Sequence, residues 1–250
     1  MTGSPSPPLT APGARVTRRV RTPWVTGTVV AVLILIVLAF AVHRLIVDVP
    51  SLLSGAPPEQ PYDARYVSHP WLTYLHIVPG ALYLLGAALQ VTFRFRRRHY
   101  PLHRRLGRTV LALGLLQGTM AVVLGVVMPF GGPAELWATV LFGAWFVACL
   151  VLAFRAIRGG DVAQHRRWMI RAFAVGVAVG TIRIWIPLLQ IVGGVNLAAS
   201  FGPAFWISFS SHVVAAELYL RARPLPPEAL AKVEDHQPET IGNKEGNRAR

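Results

Sequence analysis

The 250-residue chain is 53% hydrophobic and only 14% charged, whereas about a quarter of the residues in a soluble domain are charged. This deficit excludes an ordinary soluble protein. The formal net charge of +14 does not indicate nucleic-acid binding, because the basic residues form short clusters between long apolar runs. The single cysteine, Cys149, excludes an intrachain disulfide and paired-cysteine metal or redox motifs.

The N-terminal part of the chain predicts a tail followed by a membrane anchor. Residues 1–23 are rich in Pro, Ser, Thr and Arg, which predicts disorder. The apolar run 25–42 is long enough to span a bilayer. A signal-peptidase-like tripeptide at 39–41 leaves cleavage open, but the run is longer than a usual signal-peptide core and favours an uncleaved anchor. Residues 44–69 read as a Pro-rich connection.

The remainder predicts a membrane domain and a polar tail. Five further apolar segments are candidate spans: 70–93, 106–128, 135–154, 168–190 and 203–220. The expected fold is an all-α polytopic bundle of about six membrane-spanning helices, which occupies residues 24–221 as one domain. Residues 222–250 are predicted to be a disordered tail.

The distribution of Lys and Arg predicts the orientation. Of the 25 basic residues, 22 fall on one side of these spans, in the two tails and in the connections around residues 94–108 and 155–171. Basic loops face the cytoplasm, so both termini are expected to be cytoplasmic in a bacterial plasma membrane.

Polar and small residues recur at helical spacing in three of the spans. Small residues allow close helix packing in lipid, and polar groups avoid the hydrocarbon, so these stripes should meet inside the bundle. The stripes are His76, Gly80, Tyr83, Ala87 and Gln90; Gly107, Gly114, Gly118 and Gly125; and Gly176, Gly180, Arg183, Pro187 and Gln190.

Two short basic motifs give the chain a family resemblance. The first reads His-Arg-Arg-Leu-Gly-Arg over 103–108, and the second reads His-Arg-Arg-Trp-Met-Ile-Arg over 165–171. With His69, His76, Pro79-Gly80 and Gln90 before them and Arg183 after them, this order resembles the bacterial membrane family catalogued as domain of unknown function 2306. The resemblance covers about residues 66–221. It implies a multi-pass membrane protein and brings no established activity.

One candidate site lies within the spans. At 1.5 Å per residue, His76, Arg183 and His212 lie about 9, 10 and 13 Å from the outer ends of three different spans. Ionisable groups at this depth are costly and are candidates for function. Two histidines could ligate a b-type haem with Arg183 on a propionate, or the three could form a proton relay or a polar ligand pocket. Alternatively, the histidines merely hydrogen-bond across helices.

A second candidate lies at the cytoplasmic boundary. The two basic motifs each open a span, where free backbone N–H groups attract anions and arginine suits phosphate. An anionic lipid or another anionic ligand between the third and fifth spans would fit, whereas simple topology signalling is the alternative. The residues concerned are His103, Arg104, Arg108, His165, Arg166 and Arg171.

Three classes of function follow from these residues. The first is a small-molecule or ion binding and transport protein that uses His76, Arg183 and His212. The second is a membrane redox protein with haem b or a quinone. The third is a lipid-interacting or scaffolding protein without chemistry. Signature motifs of soluble enzymes are absent from the sequence.

Overall fold

A computed structural model describes residues 23–92, 95 and 98–223. This part of the chain contains seven α-helices longer than one turn and no strand. The helices are α1 (Pro23–Ser54), α2 (Pro61–Ser68), α3 (Pro70–Val91), α4 (Tyr100–Val127), α5 (Gly132–Arg158), α6 (Val162–Gly193) and α7 (Leu197–Arg221).

Local sequence explains where these helices begin. A proline occupies the first turn of α2, α3, α4 and α5, where its missing N–H costs nothing. The side chains of Asp161 and Asn196 cap α6 and α7 by accepting hydrogen bonds from the backbone N–H groups of Gln164 (2.8 Å) and Ala199 (2.9 Å). These residues let each helix begin directly after its connection. Contacts between α3 and α4, which pair Gly80 with Gln117 and Gly107 with Gln90, show that these two helices run antiparallel.

Five of the helices, α1, α3, α4, α5 and α6, are long and apolar enough to cross a membrane. Helix α7 has 25 residues and is not one of these five, and it packs along α5 and α6. The predicted fold class, an all-α polytopic bundle of about six helices, is confirmed.

The helices pack as a ring with one helix outside it. Helix α1 contacts α3, and the ring continues through α4, α5 and α6 back to α1, while α7 lies in the groove between α5 and α6. Tyr83 of α3 lies at the centre and is 0% exposed, with its ring edge-on to Phe146 of α5 at 5.3 Å. We call the end that carries α2 the α2 end, and the end where α4 and α6 begin the basic end.

The glycine stripes make this close packing possible. A Cβ atom at Gly114 of α4 would lie 2.8 Å from the Tyr83 ring, and one at Gly176 of α6 would lie 3.2 Å from it. A Cβ atom at Gly180 would lie 2.6 Å from the backbone carbonyl oxygen of Leu33 in α1. The expectation that the three stripes meet in the interior is confirmed at these positions.

The expected connection over residues 44–69 is wrong. Helix α1 continues to Ser54, and residues 61–68 form α2. The hydropathy pattern ends the first span at the polar residues that follow residue 42, but helical hydrogen bonding continues past them because these residues find partners at the α2 end. The predicted disorder of the tails falls almost entirely on residues outside the described part of the chain.

Candidate functional site

Helix α2 turns one polar and aromatic face toward the bundle. Tyr62, Arg65 and Tyr66 are three and four residues apart and therefore share a side of this short helix. Tyr62 packs on Phe130, which precedes α5, and on Phe201 of α7, with ring centroids 5.2 and 5.7 Å away. Helix α2 thus covers one end of the bundle with two phenol groups and a guanidinium.

A buried ion-pair network holds α2 in place. Arg44 and Asp48 of α1 are both 0% exposed and form an ion pair, and Arg44 also pairs with Asp63 of α2. The hydroxyl of Tyr74 in α3 donates to Asp48 Oδ2 at 3.0 Å. The Arg44 guanidinium also lies 4.0 Å from the centre of the Tyr66 ring. This network joins α1, α2 and α3.

Arg65 has aromatic neighbours but no carboxylate partner. Its Nη2 donates to the Tyr66 hydroxyl at 2.9 Å, and its Nη1 donates to the Met128 carbonyl at 3.4 Å. Four rings lie 4.8 to 5.6 Å from its guanidinium carbon, namely those of Tyr66, Tyr62, Phe130 and Phe201. Its Nε is shielded from solvent and has no partner in the described part of the chain.

Arg183 approaches the same two phenols from α6. Its Nη1 donates to the Tyr62 hydroxyl at 3.4 Å, and its guanidinium carbon lies 3.6 Å from the centre of the Phe40 ring in α1. Like that of Arg65, its Nε is shielded and has no partner among the described residues. Helix α1, through Phe40, and helix α6, through Arg183, therefore both border the cluster.

Two of the three guanidiniums in the cluster have no ion-pair partner among the described residues. Arg44 pairs with Asp48 and Asp63, and the buried carboxylate of Glu135 accepts from the backbone N–H groups of Phe130 and Gly131. In the described part of the chain, neither Arg65 nor Arg183 forms an ion pair. Two guanidiniums without an ion-pair partner beside apolar rings favour an anion.

The two phenols link the two unpaired guanidiniums. The Tyr66 hydroxyl donates to the Tyr62 hydroxyl at 3.2 Å, so Tyr62 accepts from both Tyr66 and Arg183. Burial raises the pKa of Tyr62 to about 12. Burial opposes ionisation of Tyr66 too, but the guanidiniums of Arg65 and Arg183 outweigh it and lower the pKa of Tyr66.

His76 lies next to this cluster on α3. Its Nδ1 is 3.0 Å from the carbonyl oxygen of Gln117 in α4. Because a carbonyl oxygen only accepts, Nδ1 carries the hydrogen and Nε2 keeps a free lone pair. Arg183 lies near enough for its charge to act on the His76 ring, although no hydrogen bond joins the two side chains in the described part of the chain.

His212 is not brought to the same place. Its Nδ1 lies 2.9 Å from the Ser208 carbonyl oxygen of its own helix and 3.5 Å from the Thr181 hydroxyl of α6. Thr181 and Arg183 are two positions apart and therefore point to nearly opposite sides of α6. His76 contacts α4 and His212 contacts α6 from outside the ring. A haem held between these two histidines does not fit this arrangement.

The basic end shows a different arrangement from the shared site predicted there. His165 Nδ1 lies 2.9 Å from the Ala153 carbonyl oxygen of α5, and Arg171 makes two hydrogen bonds to Glu217 of α7, at 2.5 and 3.0 Å. These contacts tie the start of α6 to α5 and α7, and α4 does not pack extensively on α6. His103 stacks on Tyr100, and the side chains of Arg104, Arg108 and Arg166 are exposed.

Sequence reasoning missed most of the cluster at the α2 end. Arg44, Asp48, Asp63 and Arg65 fell in the segment predicted to be a connection. A signal was present: Pro61 followed by Asp63, with Arg65 near the end, is the charge order of a short helix. The spacing of Arg44 and Asp48 also allows an i,i+4 ion pair in a continued α1.

The fold and the buried charges define a polytopic α-helical membrane protein. The chain matches the family described as "Predicted membrane protein (DUF2306)" over residues 73–220, more than half of its length, and it belongs to this family. Helices α1 and α2 precede the matched region. No curated protein and no solved structure matches the chain.

Proposed function

We propose that this protein binds a small organic carboxylate at the α2 end and passes it through the helix ring. The carrying observation is the pair of guanidiniums, Arg65 and Arg183, that have no carboxylate partner and flank the linked hydroxyls of Tyr62 and Tyr66. Arginine, with several N–H donors in one plane, suits a carboxylate.

The chemistry of the cluster favours an anion with an apolar body. Neither Arg65 nor Arg183 has an ion-pair partner among the described residues, and the rings of Phe40, Phe130 and Phe201 lie beside them. The Nε–H groups of Arg65 and Arg183, like that of Arg44, have no partner in the described part of the chain. A multiply charged phosphate would bring excess negative charge into this apolar setting, at a high cost of desolvation.

The excess of Lys and Arg at the basic end supports an orientation in which both termini are cytoplasmic and the α2 end faces outward in a plasma membrane. In a Cys149→Ala background, we expect Ser68→Cys to react with a membrane-impermeant maleimide on intact cells. Arg98→Cys should react only after permeabilisation. Labelling of Arg98→Cys alone on intact cells would reverse the orientation.

Arg183→Leu should weaken carboxylate binding more than folding. The substitution removes a charge-assisted contact, which predicts a loss of affinity of at least about tenfold. Binding of radiolabelled benzoate to the purified full-length protein measures it, with acetate and inorganic phosphate as competitors. Benzoate should bind in a saturable manner, and phosphate should compete least.

Arg166→Leu is the matched control, because Arg166 lies on the same helix and its side chain is exposed at the basic end. It should bind benzoate as the unmodified protein does. The proposal fails if none of the three anions binds in a saturable manner, or if both arginine variants lose affinity equally.

A further inference from the structure

The centre of the helix ring contains a polar atom without a partner. The Tyr83 hydroxyl oxygen is shielded from solvent and makes no hydrogen bond in the described part of the chain, although the whole residue is 0% exposed. The thiol of Cys149 in α5 lies close enough to act on it electrostatically. Hydrophobic packing alone would place a phenylalanine here.

Gln90, which lies nearer the basic end, also has buried polar atoms without a partner. Both its amide nitrogen and its amide oxygen are shielded and have no partner among the described residues. Gly107 of α4 lies opposite, and a Cβ atom there would be 3.8 Å from the Gln90 amide oxygen. The absence of a side chain at Gly107 leaves space beside the amide.

These groups continue the face of α3 that carries His76. Positions 76, 83 and 90 are seven residues apart, which places them on one face at intervals of about 10 Å. Their neighbours on α4 are Gln117, Gly114 and Gly107 in the same order. One helix interface thus carries polar groups from the α2 end toward the basic end.

Buried polar groups in folded proteins nearly always have partners, and where the protein provides none, an internal water does. Such a water needs two to four polar contacts. The free Nε2 of His76, the phenol and the primary amide offer such contacts in succession along the interface of α3 and α4.

We propose that internal waters occupy the α3–α4 interface and that a proton moves along them together with the carboxylate. His76 takes up a proton on Nε2 and releases this proton to the adjacent water. The Tyr83 hydroxyl and the Gln90 amide hydrogen-bond the waters that follow along the interface. No electron is transferred, and one carboxylate with one proton crosses without net charge. The coupling rests on the function proposed above, whereas the waters do not.

Radiolytic labelling tests the waters directly. In the full-length protein in lipid nanodiscs, microsecond X-ray pulses generate hydroxyl radicals from bound water, and mass spectrometry locates the oxidised side chains. We expect Tyr83 to be oxidised although it is buried, and Phe142, a buried ring of α5 in contact with Trp206 and Phe209, to remain unmodified. An unmodified Tyr83 would overturn the proposal.

Proteoliposomes with an internal pH dye test the coupling. A benzoate gradient should acidify the lumen faster than in protein-free liposomes, which undissociated benzoic acid already enters, and Tyr83→Phe should reduce this protein-dependent part at least about fivefold while benzoate binding is retained. Tyr100→Phe, which removes a phenol from an exposed ring at the basic end, is the matched control and should acidify normally. Normal binding with benzoate uptake that carries no proton would refute the coupling and leave the binding function standing. If the unmodified protein does not bind benzoate, the binding function itself is refuted.

Discussion

Arg44→Met should lower the stability of this protein more than any other single change at the α2 end. Arg44 is 0% exposed and pairs with Asp48 and Asp63 at once. Methionine fills a similar volume but leaves two carboxylates near apolar rings without their cation. Removing one partner of a buried ion pair typically costs about 3–5 kcal/mol, which predicts a fall in Tm of roughly 10 °C.

The single cysteine provides the measurement. Cys149 is 0% exposed, so a thiol-reactive fluorogenic dye should react with it only as the protein unfolds. Arg104→Met, at an exposed position of the basic end, is the control and should leave Tm unchanged. Adding Asp48→Leu and Asp63→Asn to Arg44→Met should restore much of the loss, because no unpaired charge then remains. An Arg44→Met protein as stable as the Arg104→Met control would contradict this account of the network.

Gly180→Leu should separate α1 from the ring. A Cβ atom there would lie 2.6 Å from the Leu33 carbonyl oxygen and 2.9 Å from the Leu33 Cβ. Since the obstacle includes backbone, no change of rotamer relieves it, and α1 must move. Overpacking of this kind costs about 1–3 kcal/mol or more, and the same movement would take Phe40 away from Arg183.

Gly193→Leu is the matched control on the same helix, because nothing lies within 4 Å of a Cβ atom at Gly193. We expect its Tm, from the same thiol assay, to equal or exceed that of the unmodified protein. The Gly180→Leu protein should unfold several degrees lower. Equal Tm values for the two variants would show that α1 does not pack at Gly180 as described.

Much of the fold could be predicted from the sequence, because a span in lipid must be both apolar and helical. The same rule explains the errors at the ends. Hydropathy marks where apolar residues stop, whereas α1 continues to Ser54 because Arg44 and Asp48 pair with each other, and Arg44 with Asp63. The pair of Arg44 with Asp63 depends on α2, which a hydropathy pattern does not detect.

The candidate site could be predicted only in part. Counting residues from a helix end gives the depth of a side chain but not its direction around the bundle. The charge of Arg183 acts on His76, whereas His212 of α7 contacts Thr181 on the other side of α6. Likewise, the two similar basic motifs, at the starts of α4 and α6, lie at the same end of the bundle. However, the start of α6 packs on α5 and α7, and α4 packs on α3 and α5. Helix packing fixes the direction in which a side chain points around the bundle. The spacing of small residues indicates this packing only for pairs of helices that touch each other.

The most direct test of the carboxylate site is an experimental structure of the full-length protein with 4-bromobenzoate, in which the bromine marks the ligand. The account predicts the carboxylate between the guanidiniums of Arg65 and Arg183, within hydrogen-bonding distance of the Tyr62 hydroxyl, and the bromine among the surrounding aromatic rings. A ligand found only among the exposed arginines of the basic end, with Arg65 and Arg183 untouched, would contradict it.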